Sequence, residues 1–469
     1  MNQVFNPYLP LWEFVPDGEP HVFGKRLYVY GSHDKTNGDS FCQQNYTVWS
    51  CPIDDLSNWT NHGETYRKTQ DPLNKDGKYD LFAPDCVKGK DGRYYLFYCL
   101  STVPVISVAI SEKPEGPFTF YGHVHYADGN LLNDYMPFDP ACLVDDNGKI
   151  YLYYGFAPAG DMEYLREVIP AELSEYAMVC QLADDMLTVS RAPKPLIPSG
   201  LHSKATSFEG HGFYEASSIR KYNGLYYFMY SSNRSHELCY AISQYPDKEF
   251  VYQGILISNA DLGCKGNRIP RNWIGNNHGS IAYINGNYYI FYHRQTNGTQ
   301  FSRQGCAERL MMNEDGTFKM AGMTSCGLNG APLIAQGSYP AAIACYLTNR
   351  NTLTKIDYDN PMIDKIPRIV CTPYESYISH ICENTVIGYK YFNYIDVKRL
   401  YLEIRGEFYG KIYVSEKRDT RYIGEINVQM RDDDWQLAII TLRCSNGKKP
   451  LYLHFDGVGS LDLKTILFK

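Results

Sequence analysis

The sequence predicts an all-β protein, with a five-bladed β-propeller over residues 1–325 and a jelly-roll-like β-sandwich over 335–469. Three observations predict it. One hairpin pattern recurs five times. The intervals between copies lack helical periodicity. After about residue 330 the pattern gives way to short runs that alternate apolar and polar.

The first copy reads Gly24-Lys25-Arg26-Leu27-Tyr28-Val29-Tyr30, and the others occupy 92–98, 148–154, 224–230 and 286–292. Each opens on a glycine and continues into an aromatic, β-branched strand. Asp91-Gly92, Asn147-Gly148, Asn223-Gly224 and Asn285-Gly286 are strong hairpin turns, because the turn needs left-handed backbone that Gly and Asn adopt cheaply. Each interval has room for four short strands, and four-stranded sheets repeated around an axis make a propeller. The 42 tyrosines suit this fold, since aromatic rings favour pleated, half-buried surfaces.

Seven to nine residues before each turn glycine stands one ionisable side chain: Asp17, Asp85, Asp139, Glu215 and His278. In a propeller the innermost strands line the axis and start at one mouth. Five groups distant in sequence are therefore expected to converge there. Such a cluster is costly to desolvate unless it performs chemistry or holds an ion. Glu215 fits the repeat phase where the nearby Glu209 does not. Arg294 and Arg303 flank the last blade's loop, and a guanidinium such as Arg303 can fork onto the polar groups of a ligand. His33 and Asp34 end the first blade's strand and are read as channel-facing or structural. Trp12, Phe82 and Trp273 are read as platforms on which a ligand ring could stack, or as core.

Composition excludes other classes. The net charge of −7 comes without a basic stripe, which argues against nucleic-acid binding. No apolar stretch approaches a membrane-spanning length, and the N-terminus lacks the charged and apolar regions of a signal peptide. The 14 cysteines are scattered singly with no CxxC, as expected of reduced core thiols in a cytoplasmic protein.

In the C-terminal third, Ala331-Pro332 and Gly337-Ser338-Tyr339-Pro340 read as linker. Leu400–Ile404, Lys411–Val414, Leu437–Leu442 and Pro450–Phe455 read as short sandwich strands separated by Gly-rich turns.

These motifs resemble glycoside hydrolase family 43 over roughly residues 5–325. The carriers are Pro16-Asp17-Gly18-Glu19-Pro20-His21-Val22-Phe23, Phe82-Ala83-Pro84-Asp85 and Phe138-Asp139-Pro140-Ala141. Phe213-Tyr214-Glu215-Ala216-Ser217-Ser218 and Asn277-His278-Gly279-Ser280 complete them. The resemblance implies an inverting glycosidase acting on arabinose- or xylose-containing plant polysaccharides. It implies Asp17 as general base, Glu215 as general acid and Asp139 as the residue that tunes the acid. It implies His278 as an axial ligand to a calcium ion or its water shell. Asp85 would be structural or substrate-contacting. Two positions depart from the family pattern: Gly18 stands where Pro usually follows the base, and Phe82 replaces Trp. The segment from Phe455 to Leu463, with Trp435, resembles a carbohydrate-binding module of family 6. A structural domain buttressing the propeller is the alternative.

The chemistry explains the pairing. Inversion needs one protonated and one ionised carboxyl group, about 6.5–9.5 Å apart with a water between. A third carboxylate nearby raises the acid's pKa. The expected activity is exo-acting release of arabinose or xylose from oligosaccharides small enough to enter a cell. The alternatives are a non-catalytic carbohydrate-binding propeller and a propeller glycosidase for galactosides or fructosides.

Overall fold

The computed structural model describes residues 4–168, 173–349, 366–418 and 422–469. Twenty strands form five blades, each an antiparallel four-stranded sheet in sequential order. The first blade is β1 (Glu19–Phe23), β2 (Arg26–Tyr30), β3 (Tyr46–Pro52) and β4 (Thr60–Tyr66). The second is β5 (Asp85–Lys88), β6 (Tyr94–Leu100), β7 (Val103–Ser111) and β8 (Thr119–His123). The third is β9 (Ala141–Val144), β10 (Ile150–Tyr154), β11 (Tyr176–Leu182) and β12 (Val189–Pro198). The fourth is β13 (Phe213–Tyr222), β14 (Leu225–Ser232), β15 (Glu237–Ser243) and β16 (Val251–Ser258). The fifth is β17 (Ile281–Ile284), β18 (Asn287–Gln295), β19 (Arg303–Met312) and β20 (Phe318–Lys319).

All five hairpin glycines take the left-handed backbone that the turn requires, with φ between 62° at Gly24 and 86° at Gly92. The repeat's last tyrosine is buried in every blade. Its ring supplies apolar area, and in four of the five blades its hydroxyl finds a partner. Tyr30 donates to the Pro114 carbonyl, Tyr98 to Asp71, Tyr230 to the His211 carbonyl and Tyr292 to Glu308.

The innermost strands β1, β5, β9, β13 and β17 ring the axis. The ring closes where Gly18 pairs with Gly279. The N-terminal segment then runs along the fifth blade. There Tyr8 donates its N–H to Gly305, and Asn6 Nδ2 donates to the carbonyls of Ala307 and Thr324.

Nine further strands follow: β21 (Leu333–Ile334), β22 (Gly337–Pro340), β23 (Tyr346–Thr348), β24 (Arg368–Cys371), β25 (Ser376–Ile381), β26 (Val386–Tyr394), β27 (Arg399–Ser415), β28 (Tyr422–Thr441) and β29 (Gly447–Phe468). They hydrogen-bond as one nine-stranded sheet around a single apolar core. The sequence reading is corrected twice here. Gly337–Pro340 is a strand paired with β29, not linker. Its Tyr339 is buried against Phe5, Phe392 and Phe468. The short strands are also parts of long ones. Gly406, Gly410, Gly457 and Gly459 are not turns but mid-strand positions where backbones approach. A Cβ on Gly459 would meet the Glu407 carbonyl at 2.1 Å.

The C-terminal domain grips the loop after β18. Asn297 donates its backbone N–H to the Ile369 carbonyl at 2.7 Å, and its side-chain Oδ1 accepts the Cys371 N–H at 2.7 Å. Arg294 donates to the carbonyls of Ala342 and Ala344. Trp435 carries Arg405 4.3 Å from its ring centroid and Lys464 at 5.2 Å, so its stacking surface is already engaged.

Candidate active site

Asp17, Asp139 and Glu215 line one cavity of about 400 Å³, together with His278, Arg303 and Phe82. The strand starts explain the convergence. Asp17 lies two residues before β1, and Asp139 two before β9. Glu215 enters from β13, at a register shift against β14. Asp17 (φ 56°), Asp139 (φ 46°) and Ala216 (φ 66°) all hold left-handed backbone. That conformation is costly for non-glycine residues and concentrates at sites where geometry matters more than stability.

Asp17 is buried and surrounded by donors. Arg303 Nη1 is 2.9 Å from Oδ1, His293 Nδ1 is 3.3 Å from the same oxygen, and Ser32 Oγ donates to Oδ2. Burial pushes this carboxyl up, but the Arg303 charge and the His293 contacts outweigh it. They hold Asp17 well below the usual carboxylate range. Arg303 is itself fixed by a bidentate pair with Asp34, Nε to Oδ2 and Nη2 to Oδ1, each at 2.9 Å. Its Nη2 also reaches Cys42 Sγ at 3.2 Å.

Glu215 has the opposite environment. No cation pairs with it among the described residues, and aromatic rings wall its side of the cavity. Phe82, Phe138, Phe156 and Tyr214 pack in succession, with centroids 5.1–5.6 Å apart. Burial first, then the negative charge of Asp17, pushes the Glu215 carboxyl up to about 8. Asp139 is pushed up by burial and then by Glu215, while its Oδ2 accepts the Ala216 N–H at 3.1 Å. Near neutral pH the site thus holds Asp17 ionised and Glu215 protonated, with Asp139 displaced in the same direction as Glu215.

Beneath these groups lies a second polar layer that sequence reasoning missed. Arg220 Nη2 donates to Glu19 Oε2 at 2.6 Å and lies 3.4 Å from His21 Nε2. Ser218 Oγ donates to Glu19 Oε2 at 3.1 Å. The signal was present in the spacing: Glu19 and His21 follow Asp17 at two-residue intervals, and Arg220 lies on the inner strand β13.

Asp85 belongs to this layer, which is the structural of the two roles expected for it and not the substrate-contacting one. It is fully buried, accepts from the Cys142 N–H at 2.9 Å and pairs with His21 Nε2 at 2.7 Å. It therefore ties the second blade to the first and third. Counting back from the turn glycine mis-phased this blade. Two residues before β5 stands Ala83, and Ala83 lines the cavity. Arg303 is corrected in part. It lines the cavity, but four of its five N–H groups go to Asp34, Cys42 and Asp17, leaving one for a ligand. Trp12, Trp273, Arg294 and Glu209 do not line the cavity. Trp273 donates Nε1–H to the Pro367 carbonyl, and Glu209 accepts from Ala205 N–H.

His278 has one nitrogen toward each layer. Nδ1 is 3.7 Å from Asp139 Oδ2, and Nε2 is 3.9 Å from Glu19 Oε1. Burial pushes its pKa down to about 4, so the imidazole is neutral and able to act as a ligand. Neither His278 Nε2 nor Glu19 Oε1 has a hydrogen-bond partner among the described residues. These two residues would hold a calcium ion, Glu19 supplying a carboxylate oxygen and its negative charge and His278 a neutral imidazole.

The sequence profile described as Glycosyl hydrolases family 43 matches residues 10–318. The chain belongs to glycoside hydrolase family 43. Along its whole length this family 43 chain is 44% identical to a xylosidase/arabinosidase of Thermoclostridium stercorarium, over 99% of this chain and 98% of that one. A solved family 43 beta-xylosidase/alpha-arabinofuranosidase from a compost microbial metagenome is 26% identical, with a TM-score of 0.53. The match covers 68% of this chain and 98% of that one. That enzyme was solved with xylotriose in a calcium-free form. An arabinoxylan arabinofuranohydrolase of Bacillus subtilis shares the fold over 100% of this chain and 98% of its own, with a TM-score of 0.54 at 20% identity.

Proposed function

We propose that this family 43 glycoside hydrolase is an exo-acting α-L-arabinofuranosidase and β-xylosidase that works with inversion on hemicellulose-derived oligosaccharides. One observation carries the mechanism: Asp17 and Glu215 share a cavity but are held in opposite protonation states. Asp17, ionised beside Arg303, takes a proton from water as that water attacks the anomeric carbon. Glu215, protonated in its aromatic surroundings, gives a proton to the departing glycosidic oxygen. Asp139 steadies the Ala216 backbone beside the acid, while the upward push on Glu215 comes from burial and the Asp17 charge. The names of the relatives support the sugar class. The small, aromatic-walled cavity supports removal of one terminal residue at a time.

The test is hydrolysis of p-nitrophenyl α-L-arabinofuranoside and β-D-xylopyranoside, with the product anomer followed by NMR. Turnover with inverted product is expected on both. A folded protein inert on both, or one giving retained product, overturns the reading.

We infer further that calcium binds between His278 Nε2 and Glu19 Oε1. Positive charge there would offset the buried carboxylates around the axis. Dialysis against a chelator is expected to lower Tm, and added calcium to restore it. A protein that purifies without calcium and melts at the same temperature with or without it refutes the site. A reducing compartment is also inferred, supported by fourteen free cysteines, twelve of them buried.

A further inference from the structure

A second cavity of about 970 Å³ lies between the propeller's last two blades and the C-terminal domain. It shares no lining residue with the catalytic cavity. Lys265, Arg268, Arg271, Arg309, Lys390 and Lys448 all line it, in a chain whose net charge is −7. Only two carboxyl groups oppose them. Asp261 is paired with Lys390 at 2.9 Å. Glu308 is buried and holds Asn6 Nδ2, Thr324 N–H and Thr324 Oγ1, and burial pushes its pKa up to about 8. Arg268, Arg309 and Lys265 are exposed, and no acidic group pairs with them among the described residues. A concave surface lined by one sign of charge concentrates the field and attracts counter-charge.

We propose that this cleft is a second binding site for an anionic saccharide, an oligosaccharide that carries a uronate carboxylate. The saccharide class rests on the proposed function. Size and lining favour it over a small free anion. The cleft exceeds the catalytic cavity in volume, its cations come from both domains, and apolar surface from Ile269, Met311 and Pro332 lies between them. An anionic group suits this cleft better than the catalytic cavity, where Asp17 is ionised.

The test uses the full chain with Glu215→Gln, so that the probes are not consumed. A xylotriose bearing one glucuronosyl group, neutral xylotetraose and inorganic phosphate are each titrated calorimetrically. The acidic sugar is expected to bind about tenfold more tightly than the neutral one, and to lose that advantage in about 0.5 M NaCl. Adding Arg268→Glu and Arg309→Glu is expected to abolish the advantage and leave xylotetraose binding unchanged. Equal binding of both sugars overturns the proposal, as does acidic binding that survives charge reversal. Phosphate binding as tight as the acidic sugar assigns the cleft to a free anion and overturns the saccharide class. With Glu215 intact, the charge-reversed protein is expected to hydrolyse both p-nitrophenyl glycosides within about twofold of wild type, because the cleft lies outside the catalytic machinery. A wild type inert on those glycosides defeats the proposed function, while the comparison of acidic and neutral ligands still decides the cleft.

Discussion

Glu215→Gln is expected to cut kcat on xylo- and arabino-oligosaccharides by roughly 10²–10⁴-fold, the contribution of a positioned general acid. The loss should shrink on p-nitrophenyl glycosides, whose leaving group departs without full protonation. Asp17→Asn should lose a similar factor on both kinds of substrate, because water must be activated whatever leaves. That contrast separates acid from base without a structure of either variant.

The pH profile adds a sign. The acid must be protonated, so wild-type activity on oligosaccharides should fall as pH rises through about 8. Glu215→Gln should lack that fall. Unfolding does not account for the loss. A carboxyl raised in the folded state contributes stability that is complete below its unfolded value, near 4.5, and is lost as pH rises toward about 8. The glutamine cannot ionise, so the variant should melt no lower than wild type and gain most near pH 8. A large drop in Tm, or an unchanged basic limb, would count against Glu215 as the acid.

Arg303→Met is expected to have the largest effect on stability. It leaves two buried carboxylates, Asp17 and Asp34, without their cation. Breaking a buried pair from one side typically costs about 3–5 kcal/mol. The deficit should depend on pH. Asp17 is depressed in the folded state, so its pairing stabilises the protein above the unfolded value, near 3.8, and fades as pH falls toward the folded value. The melting gap between wild type and Arg303→Met should therefore be widest at neutral pH and narrow in acid. Activity should fall as well, with its acid limb displaced to higher pH as Asp17 loses its counter-charge. Arg303→Lys restores the charge but not the fork to Asp34, and should lie between the two. An Arg303→Met protein with wild-type Tm and an unmoved acid limb would show that Arg303 does not hold Asp17.

Much of this molecule is legible before folding. The five Gly-aromatic hairpins give the blades, because a short glycine turn and a period-two strand are local properties. The residues before them give Asp17, Asp139, Glu215 and His278, because a repeat places equivalent positions at one mouth. Asp85 shows the limit. It has the right residue type and nearly the right spacing, yet it stands two residues further along its strand, which keeps it toward the axis but puts it in the layer below, bonded to His21 and Cys142. Counting back from a turn glycine fixes depth only if the turns have equal length, and two residues separate Phe23 from Arg26 where five separate Lys88 from Tyr94. The glycines of β27 and β29 show a second limit, since close backbone approach and a turn ask for the same residue.

The sequence by itself determined the propeller, the family and the carboxylates that meet in the cavity. Only the tertiary structure decided what each carboxylate is. Asp17 and Glu215 have nearly the same intrinsic acidity. Arg303, 286 residues away from Asp17, makes one an ionised base. A wall of aromatic rings from three blades leaves the other protonated. Protonation depends on distance and solvent exclusion, and both arise only when the ring closes.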